Sequence, residues 1–113
     1  MRLFIITGCW LLLWIGWNAT AVTVDFFYQP GCRECDKVKA LVLPQVEERF
    51  PERVTVQEYD TGVMENYLKL VHYQEYLHQD ANEPVSMVVD GKILLSGYDT
   101  IADRLLVVIA AQL

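Results

Sequence analysis

The chain has 113 residues, of which 53% are hydrophobic, and its formal net charge is -6. This length suffices for a single small domain with one hydrophobic core. The acidic excess, without any cluster of lysine or arginine, argues against a nucleic-acid partner, because such a partner requires basic groups along the phosphate backbone. We therefore expect the partners to be proteins or small molecules.

The first 21 residues have the pattern of an export signal. A basic start, Met1-Arg2, is followed by an uncharged, mostly apolar stretch over 3–17 and by an Ala-x-Ala cleavage site that ends at Ala21. This order is typical of a secretory signal peptide that is removed from the mature protein. Cleavage after Ala21 would leave 22–113 as an exported, periplasmic domain.

An uncleaved anchor is the alternative for the same stretch. Residues 3–24 carry no charge and exceed the about 20 residues that span a bilayer, so an anchor over 3–21 would hold the domain at the inner membrane. We favour cleavage because a strand starting at Val22 leaves no linker between a bilayer and the domain. The residues around Cys9 match a lipoprotein cleavage site, but too few apolar residues precede it. Removal of the leader leaves Cys32 and Cys35 as the cysteines of the domain.

The most informative motif is Gly31-Cys32-Arg33-Glu34-Cys35, where an apolar strand pattern gives way to a helical one. Two cysteines this near to each other close too small a loop to stabilise the fold by much, so we predict that they carry out thiol-disulfide exchange. The positive end of the helix favours a thiolate over a thiol. We therefore expect Cys32 to be the nucleophile and Cys35 the resolving thiol.

The first half of the domain predicts a β-α-β unit. An apolar run over 22–28 predicts a central strand, and a helical pattern follows over 32–50. Pro44 should interrupt that helix near Leu41 without ending it, because the apolar spacing continues beyond it. An alternating strand pattern over 54–59 completes the unit, whose crossover should be right-handed.

The second half predicts a helix, a hairpin and a final helix, which gives the element order β-α-β-α-β-β-α. Asp90-Gly91 suits a two-residue turn within a hairpin over 85–95. Thr100 and Asp103 have the spacing of a capping box for the last helix. The fold class is therefore α/β, with a four-stranded mixed sheet and helices on both faces. For the helix over 63–79, the residues expected on its buried face are Met64, Tyr67, Leu68, Val71, Tyr76 and Leu77.

Together these features resemble the thioredoxin superfamily over 22–113. The resemblance rests on the C-x-x-C motif at the first strand-helix junction, Pro44 in the first helix, Pro84 at the start of the hairpin and Gly97 after it. It implies a thiol-disulfide oxidoreductase with a cis peptide bond before Pro84, where the backbone of Glu83 could pair with an extended substrate. The implied site residues are Cys32 and Cys35 as the catalytic pair, supported by Gly31, Arg33, Glu34, Glu83, Pro84 and Gly97.

The sequence departs from thioredoxins proper in one buried position. Thioredoxins carry an aspartate six residues before the first cysteine, but here that place is held by Phe26, and Asp25 lies one residue earlier. Asp25 is expected on the opposite face of the sheet unless a bulge restores the register. The residues after the hairpin look more like glutaredoxins, in which Gly97, Asp99 and Thr100 would help to hold glutathione. Helix capping is the alternative role for Asp99 and Thr100.

These features predict an exported enzyme that reduces or exchanges disulfides in partner proteins. It would need no metal and no cofactor besides its own disulfide, although glutathione could serve as a thiol partner. We expect a monomer that receives electrons from a membrane thiol-electron carrier. Arg33 favours the thiolate of Cys32, but the carboxylates of Glu34, Asp36 and Glu83 oppose it, so the pair should be moderately to strongly reducing.

Two functions of other classes also fit the cysteines. A structural zinc site would need four ligands, for which His72 and His78 are the candidates beside Cys32 and Cys35. These histidines are six residues apart in a helix and should point in different directions. The other alternative is a thioredoxin-like protein-binding module in which the disulfide has no catalytic role.

Overall fold

The computed structural model describes residues 21–113, which form one four-stranded mixed sheet with helices on both faces. The predicted leader over 1–21, with Cys9, lies outside the described residues except for Ala21. None of the described helices has the length and hydrophobicity needed to cross a bilayer. The strands are β1 (Val22–Tyr28), β2 (Val54–Asp60), β3 (Ser86–Val89) and β4 (Ile93–Ser96), and the helices are α1 (Arg33–Lys37), α2 (Leu43–Arg49), α3 (Met64–Leu77) and α4 (Tyr98–Gln112).

The strands lie in the order β2-β1-β3-β4. β1 and β2 are parallel, with Val22 opposite Val54, whereas β3 is antiparallel both to β1 and to β4. Pairing is one to one along β1, so no bulge shifts its register. The carboxyl ends of β1 and β2 therefore lie at the same edge of the sheet as the start of β3. These features confirm the predicted α/β class.

Two hydrophobic cores lie on opposite faces of the sheet because the side chains of β1 alternate. Phe26 belongs to the larger core, which also contains Val38 of the first helical segment and Ile101 of α4. Phe27 belongs to the smaller core beneath α3. Buried residues of that smaller core are Phe27, Leu70, Val88 and Leu94.

A π-helical turn, Val38–Val42, joins α1 to α2. The Leu43 N–H donates to the carbonyl of Val38, five residues earlier. Pro44 has no N–H, so the ordinary α-helical bond to the carbonyl four residues before it cannot form. This confirms that the proline interrupts the helix without ending it. Leu41, within this wider turn, is 53% exposed.

The predicted buried face of α3 is largely wrong. The helix packs through Leu70, Tyr73 and Leu77 against the smaller core, and of the predicted residues only Leu77 belongs to this set. Apolar residues occur around most of this helix, so their spacing indicates a helical period without fixing which side is buried. Contact with Phe27, Val88 and Leu94 selects that side. The exposed fractions are 68% for Met64, 49% for Tyr67, 56% for Leu68 and 69% for Tyr76.

Turns with positive φ lie at both ends of β4. Asp90 (φ 54°) and Gly91 (φ 67°) supply the positive φ angles of the hairpin turn between β3 and β4, but Val89 pairs with Ile93, so the turn has three residues and not the predicted two. Gly97 (φ 89°) then leads directly into α4, where the Ile101 N–H donates to its carbonyl. The predicted capping role of Thr100 is wrong, because the helix already begins at Tyr98 and has no side-chain cap.

Asp25 is buried on the face opposite the larger core, as expected in the absence of a bulge. Its Oδ2 accepts a hydrogen bond of 3.0 Å from the Tyr73 hydroxyl and lies 3.9 Å from Lys69 Nζ. Its Oδ1 is buried without a hydrogen-bond partner among the described residues. The sequence analysis missed Tyr73 as the partner of Asp25, although an aspartate within an apolar strand does indicate that a donor is needed.

We expect Tyr73→Phe to lower the free energy of unfolding by about 1–3 kcal/mol near neutral pH, because it removes a hydrogen-bond donor from a buried carboxylate. Burial, together with the hydrogen bond to Asp25, raises the pKa of Tyr73 above its ordinary value of 10.0. The stability linked to that proton is complete below pH 10 and is lost as the pH rises through the raised pKa. The difference between wild type and variant should therefore shrink above pH 10.

Urea unfolding at neutral and alkaline pH measures this difference. Tyr76→Phe is the matched control, because Tyr76 lies on the same helix and is 69% exposed. If the difference in unfolding free energy between wild type and Tyr73→Phe stays constant as the pH rises above 10, the hydrogen bond assigned to Tyr73 and Asp25 is contradicted.

Candidate functional site

Cys32 and Cys35 form a disulfide at the amino end of α1, with their Cα atoms 5.2 Å apart. Cys32 is the N-cap residue in an extended conformation, and Cys35 lies in the first helical turn. Cys35 is 1% exposed, whereas Cys32 is half-buried. Of the two sulfurs, that of Cys32 is therefore the one open to an external sulfur atom.

Backbone hydrogen bonds hold Cys32 in this position. The Cys35 N–H donates to Cys32 Sγ at 3.1 Å, and the Cys32 N–H donates to the carbonyl of Gln29. An N–H aimed at a sulfur stabilises negative charge on it. This geometry suits a sulfur that acts as a thiolate, either as attacking or as leaving group.

Pro84 lies across from the buried sulfur. Cys35 Sγ is 3.7 Å from the Pro84 carbonyl oxygen, so the start of the hairpin faces the disulfide as the sequence led us to expect. The expected cis peptide bond is wrong, since no peptide bond within 21–113 is cis and Glu83–Pro84 is therefore trans. Trans is the more stable isomer by about 0.5–1 kcal/mol, and here it already presents the carbonyl of Pro84 to the disulfide.

Gly97 and Glu83 pack together beside Pro84. The Gly97 N–H donates to the Val85 carbonyl at 2.9 Å, and the Glu83 N–H donates to Ser96 Oγ at 3.4 Å. A Cβ placed on Gly97 would lie 3.1 Å from Glu83 Cγ. The structure thus brings Glu83, Pro84 and Gly97 into one cluster on the side of Cys35.

We expect Gly97→Ala to lower the free energy of unfolding by about 1–3 kcal/mol, because its backbone conformation (φ 89°, ψ 150°) is almost restricted to glycine. Contact with Glu83 adds to this cost. Gly31→Ala is the control, since Gly31 also has a positive φ (76°) but has no atom within 4 Å of an added Cβ. In chemical denaturation, Gly97→Ala should be the more destabilising, and Glu83→Ala should partly rescue it. If Glu83→Ala does not restore any of the stability lost in Gly97→Ala, the contact between the added Cβ and Glu83 is contradicted.

The remaining predicted residues lie close to the disulfide in sequence but form few contacts. Arg33 and Asp36 are exposed, and Glu34 is half-buried. Asp99 is exposed in the first turn of α4. Lys37 reaches across to α4, with its Nζ 5.2 Å from the ring centroid of Tyr98.

No cluster of three or more metal-binding side chains occurs within 21–113. His72 stacks on Tyr76, with ring centroids 6.4 Å apart, and His78 ends α3 in a left-handed conformation. Within the described part of the chain, neither histidine joins the two cysteines in a ligand set.

One connection between two loops was not predicted from the sequence. The N–H and the hydroxyl of Thr61 donate to the Tyr28 carbonyl at 2.9 and 3.0 Å, respectively. Tyr28 ends β1 and Thr61 follows β2, so these bonds tie the loop that leads to Cys32 to the segment that leads to α3. No local sequence signal indicates such a long-range pair.

Comparison with family models gave no match. A glutaredoxin-like protein of Dictyostelium discoideum is 34% identical over 79 residues, which are 68% of this chain and 66% of that protein, just under two thirds of its length. A solved structure described as a malarial protein matches with a TM-score of 0.55 at 14% identity, covering 83% of this chain and 99% of its own.

Another solved structure, thioredoxin-2, is described as a component of the protein secretion machinery of the malaria parasite. It matches with a TM-score of 0.55 at 14% identity, covering 80% of this chain and 82% of its own. At this identity the two structures show the fold alone. With the glutaredoxin-like relative and the C-x-x-C disulfide, they support a domain of the thioredoxin superfamily.

Proposed function

We propose that this domain is a thiol-disulfide oxidoreductase that reduces or exchanges disulfides in partner proteins outside the cytoplasm. The observation that carries the proposal is the disulfide between a half-buried Cys32 and a fully buried Cys35, with a backbone N–H directed at Cys32 Sγ. This arrangement leaves the Cys32 sulfur accessible to a partner and keeps the Cys35 sulfur buried until the second step.

In the reductive direction, the Cys32 thiolate attacks one sulfur of a substrate disulfide. A Cys32–substrate bond forms, and the other substrate sulfur leaves as a thiolate. The deprotonated Cys35 then attacks Cys32 Sγ, which forms the Cys32–Cys35 disulfide and releases the second substrate thiolate. Two electrons pass from the cysteine pair to the substrate, and the reverse sequence oxidises a substrate dithiol.

The reductive direction requires an electron donor to regenerate the dithiol. We propose that a membrane thiol-electron carrier supplies these electrons to a monomeric domain exported by the signal predicted over 1–21. Acidic side chains beside the pair, those of Glu34, Asp36 and Glu83, support this direction because they disfavour the thiolate form of Cys32. A less stable thiolate makes the reduced form a better electron donor.

Glutathione-dependent reduction is the second candidate. It is supported by the likeness to a glutaredoxin-like protein, and in this case Gly97, Asp99 and Thr100 would hold glutathione. The two candidates differ in the thiol that regenerates the enzyme. A glutathione-coupled assay, in which reduced glutathione alone sustains turnover, would support this second function.

Reduction of insulin by dithiothreitol tests the main proposal. The full chain should accelerate the reaction, and Cys32→Ser should return it to the rate of dithiothreitol alone. An acceleration that survives in the Cys32→Ser/Cys35→Ser double variant would contradict the proposal, and a wild type that gives none would favour the binding module. Titration in glutathione buffers should give a potential nearer to about -270 mV than to about -120 mV. A value near the latter would overturn the reductive direction.

A further inference from the structure

The first two turns of α3 and its N-cap residue expose a set of large apolar side chains. Val63, Met64, Tyr67 and Leu68, which together form the α3 patch, are between 49% and 68% exposed. The larger residues of α3 that point inward, such as Leu70 and Tyr73, contact the smaller core instead. The patch is therefore not needed to hold the helix on the sheet, and contiguous apolar surface of this kind is typical of an interaction site.

The α3 patch lies at the same edge of the sheet as the disulfide. β1 leads into the loop before Cys32, and its parallel neighbour β2 leads into the patch. The bonds from Thr61 to the Tyr28 carbonyl tie the two loops together, and the Val63 N–H donates to the carbonyl of Asp60. The disulfide packs on the larger core and α3 on the smaller one, so a polypeptide bound at Cys32 would reach the patch by crossing this edge of the sheet.

Charge at this edge is strongly negative. Among the described residues there, Arg33 and Lys37 are the basic ones, against six acidic groups, so the formal sum is 2 - 6 = -4. Neither of the ion pairs found within 21–113, Lys39–Glu58 and Lys69–Asp25, involves any of these groups. The acidic residues are Glu34, Asp36, Asp60, Glu65, Glu83 and Asp99.

We propose that the α3 patch is the docking surface for polypeptide substrates whose disulfide is flanked by apolar and basic residues. This inference rests on the proposed function and specifies its substrate class. Apolar side chains would cover the patch, and lysine or arginine would complement the acidic edge. Glutathione disulfide fits poorly, because it has no apolar side chain and carries more carboxylates than ammonium groups. Anionic lipid is disfavoured by the same charge.

Single-turnover reduction by the prereduced full chain tests the inference. The substrates are a peptide disulfide with leucine and lysine beside the cysteine, the same peptide with serine and glutamate, glutathione disulfide, and uncharged hydroxyethyl disulfide. Met64→Ser/Tyr67→Ser should slow the leucine-lysine peptide roughly tenfold, as expected for the loss of a central apolar contact. Added salt should also slow the reduction of the leucine-lysine peptide by wild type, because salt screens the attraction between the peptide and the acidic edge. The double variant should reduce hydroxyethyl disulfide at a rate within about twofold of the wild-type rate, since this substrate reaches only Cys32.

Tyr76→Ser is the matched control, because Tyr76 is equally exposed at the far end of α3. It should leave all four rates unchanged. The inference is overturned if the double variant reduces both peptides as fast as wild type, or if wild type reduces glutathione disulfide as fast as the leucine-lysine peptide. It is also overturned if the double substitution changes only the oligomeric state, because the patch would then bind a second copy of the chain. Failure of the wild type to reduce hydroxyethyl disulfide would instead refute the proposed function.

Discussion

Cys35→Ser is expected to convert the protein into a covalent trap for its substrates. Once the Cys32 thiolate has attacked a substrate disulfide, the variant lacks the Cys35 thiol that would release the substrate, so the mixed disulfide persists. The burial of Cys35 (1% exposed) behind Cys32 supports this order of events. Non-reducing electrophoresis after incubation with a peptide disulfide should show a stable adduct that dithiothreitol removes, and mass spectrometry should place it on Cys32.

Cys32→Ser is the matched control for this experiment. In that variant the sulfur of Cys35 is buried and 3.7 Å from the Pro84 carbonyl oxygen, so it should form little or no adduct. Equal trapping by the two variants would show that either sulfur can be attacked from outside. The assignment of separate roles to Cys32 and Cys35 would then be wrong, although a redox-active disulfide would remain.

Phe26→Ala should lower the free energy of unfolding by about 3–5 kcal/mol, which is more than the loss expected for Tyr73→Phe or Gly97→Ala. Phe26 is fully buried in the larger core, which also contains Cys35 and Val38. Truncation removes apolar contact area and leaves a cavity in the centre of the sheet. Domains of this kind are stable by only about 5–15 kcal/mol, so the loss would be a large fraction of the total.

Guanidinium unfolding of the oxidised protein, followed by far-ultraviolet circular dichroism, measures this effect. Val107→Ala is the control, because Val107 is 71% exposed on α4 and its truncation should change stability by no more than about 0.5 kcal/mol. A loss below about 1 kcal/mol for Phe26→Ala would contradict its place in a packed core.

Features set by neighbouring residues can be predicted from the sequence. The apolar run over 22–28 coincides with β1 residue for residue, and the Asp90-Gly91 turn has the positive φ angles that these residue types adopt at low cost. The interruption caused by Pro44 is also predictable, since the missing N–H is a local property. The position of Cys32 and Cys35 at the strand-helix junction follows from the same local patterns.

Features set by distant contacts cannot be predicted in this way. The buried side of α3 depends on which of its apolar residues meet Phe27 and Val88, and a helix that is apolar over much of its circumference does not encode that choice. The expected cis bond before Pro84 came from the family resemblance and not from any property of Pro84 itself. The contact between Tyr73 and Asp25 spans 48 positions of the chain and has no local signal.

The division of the interior into two unequal cores has a consequence for motion. The disulfide and α4 rest on the larger core, while α3 is held by a layer with only four buried residues within the described chain. Less buried apolar surface means a lower free energy for local opening, so we expect α3 to open at a lower free energy than the helix that carries Cys32. The fold thereby places the disulfide on the more stable of its two layers and the α3 patch on the less stable one.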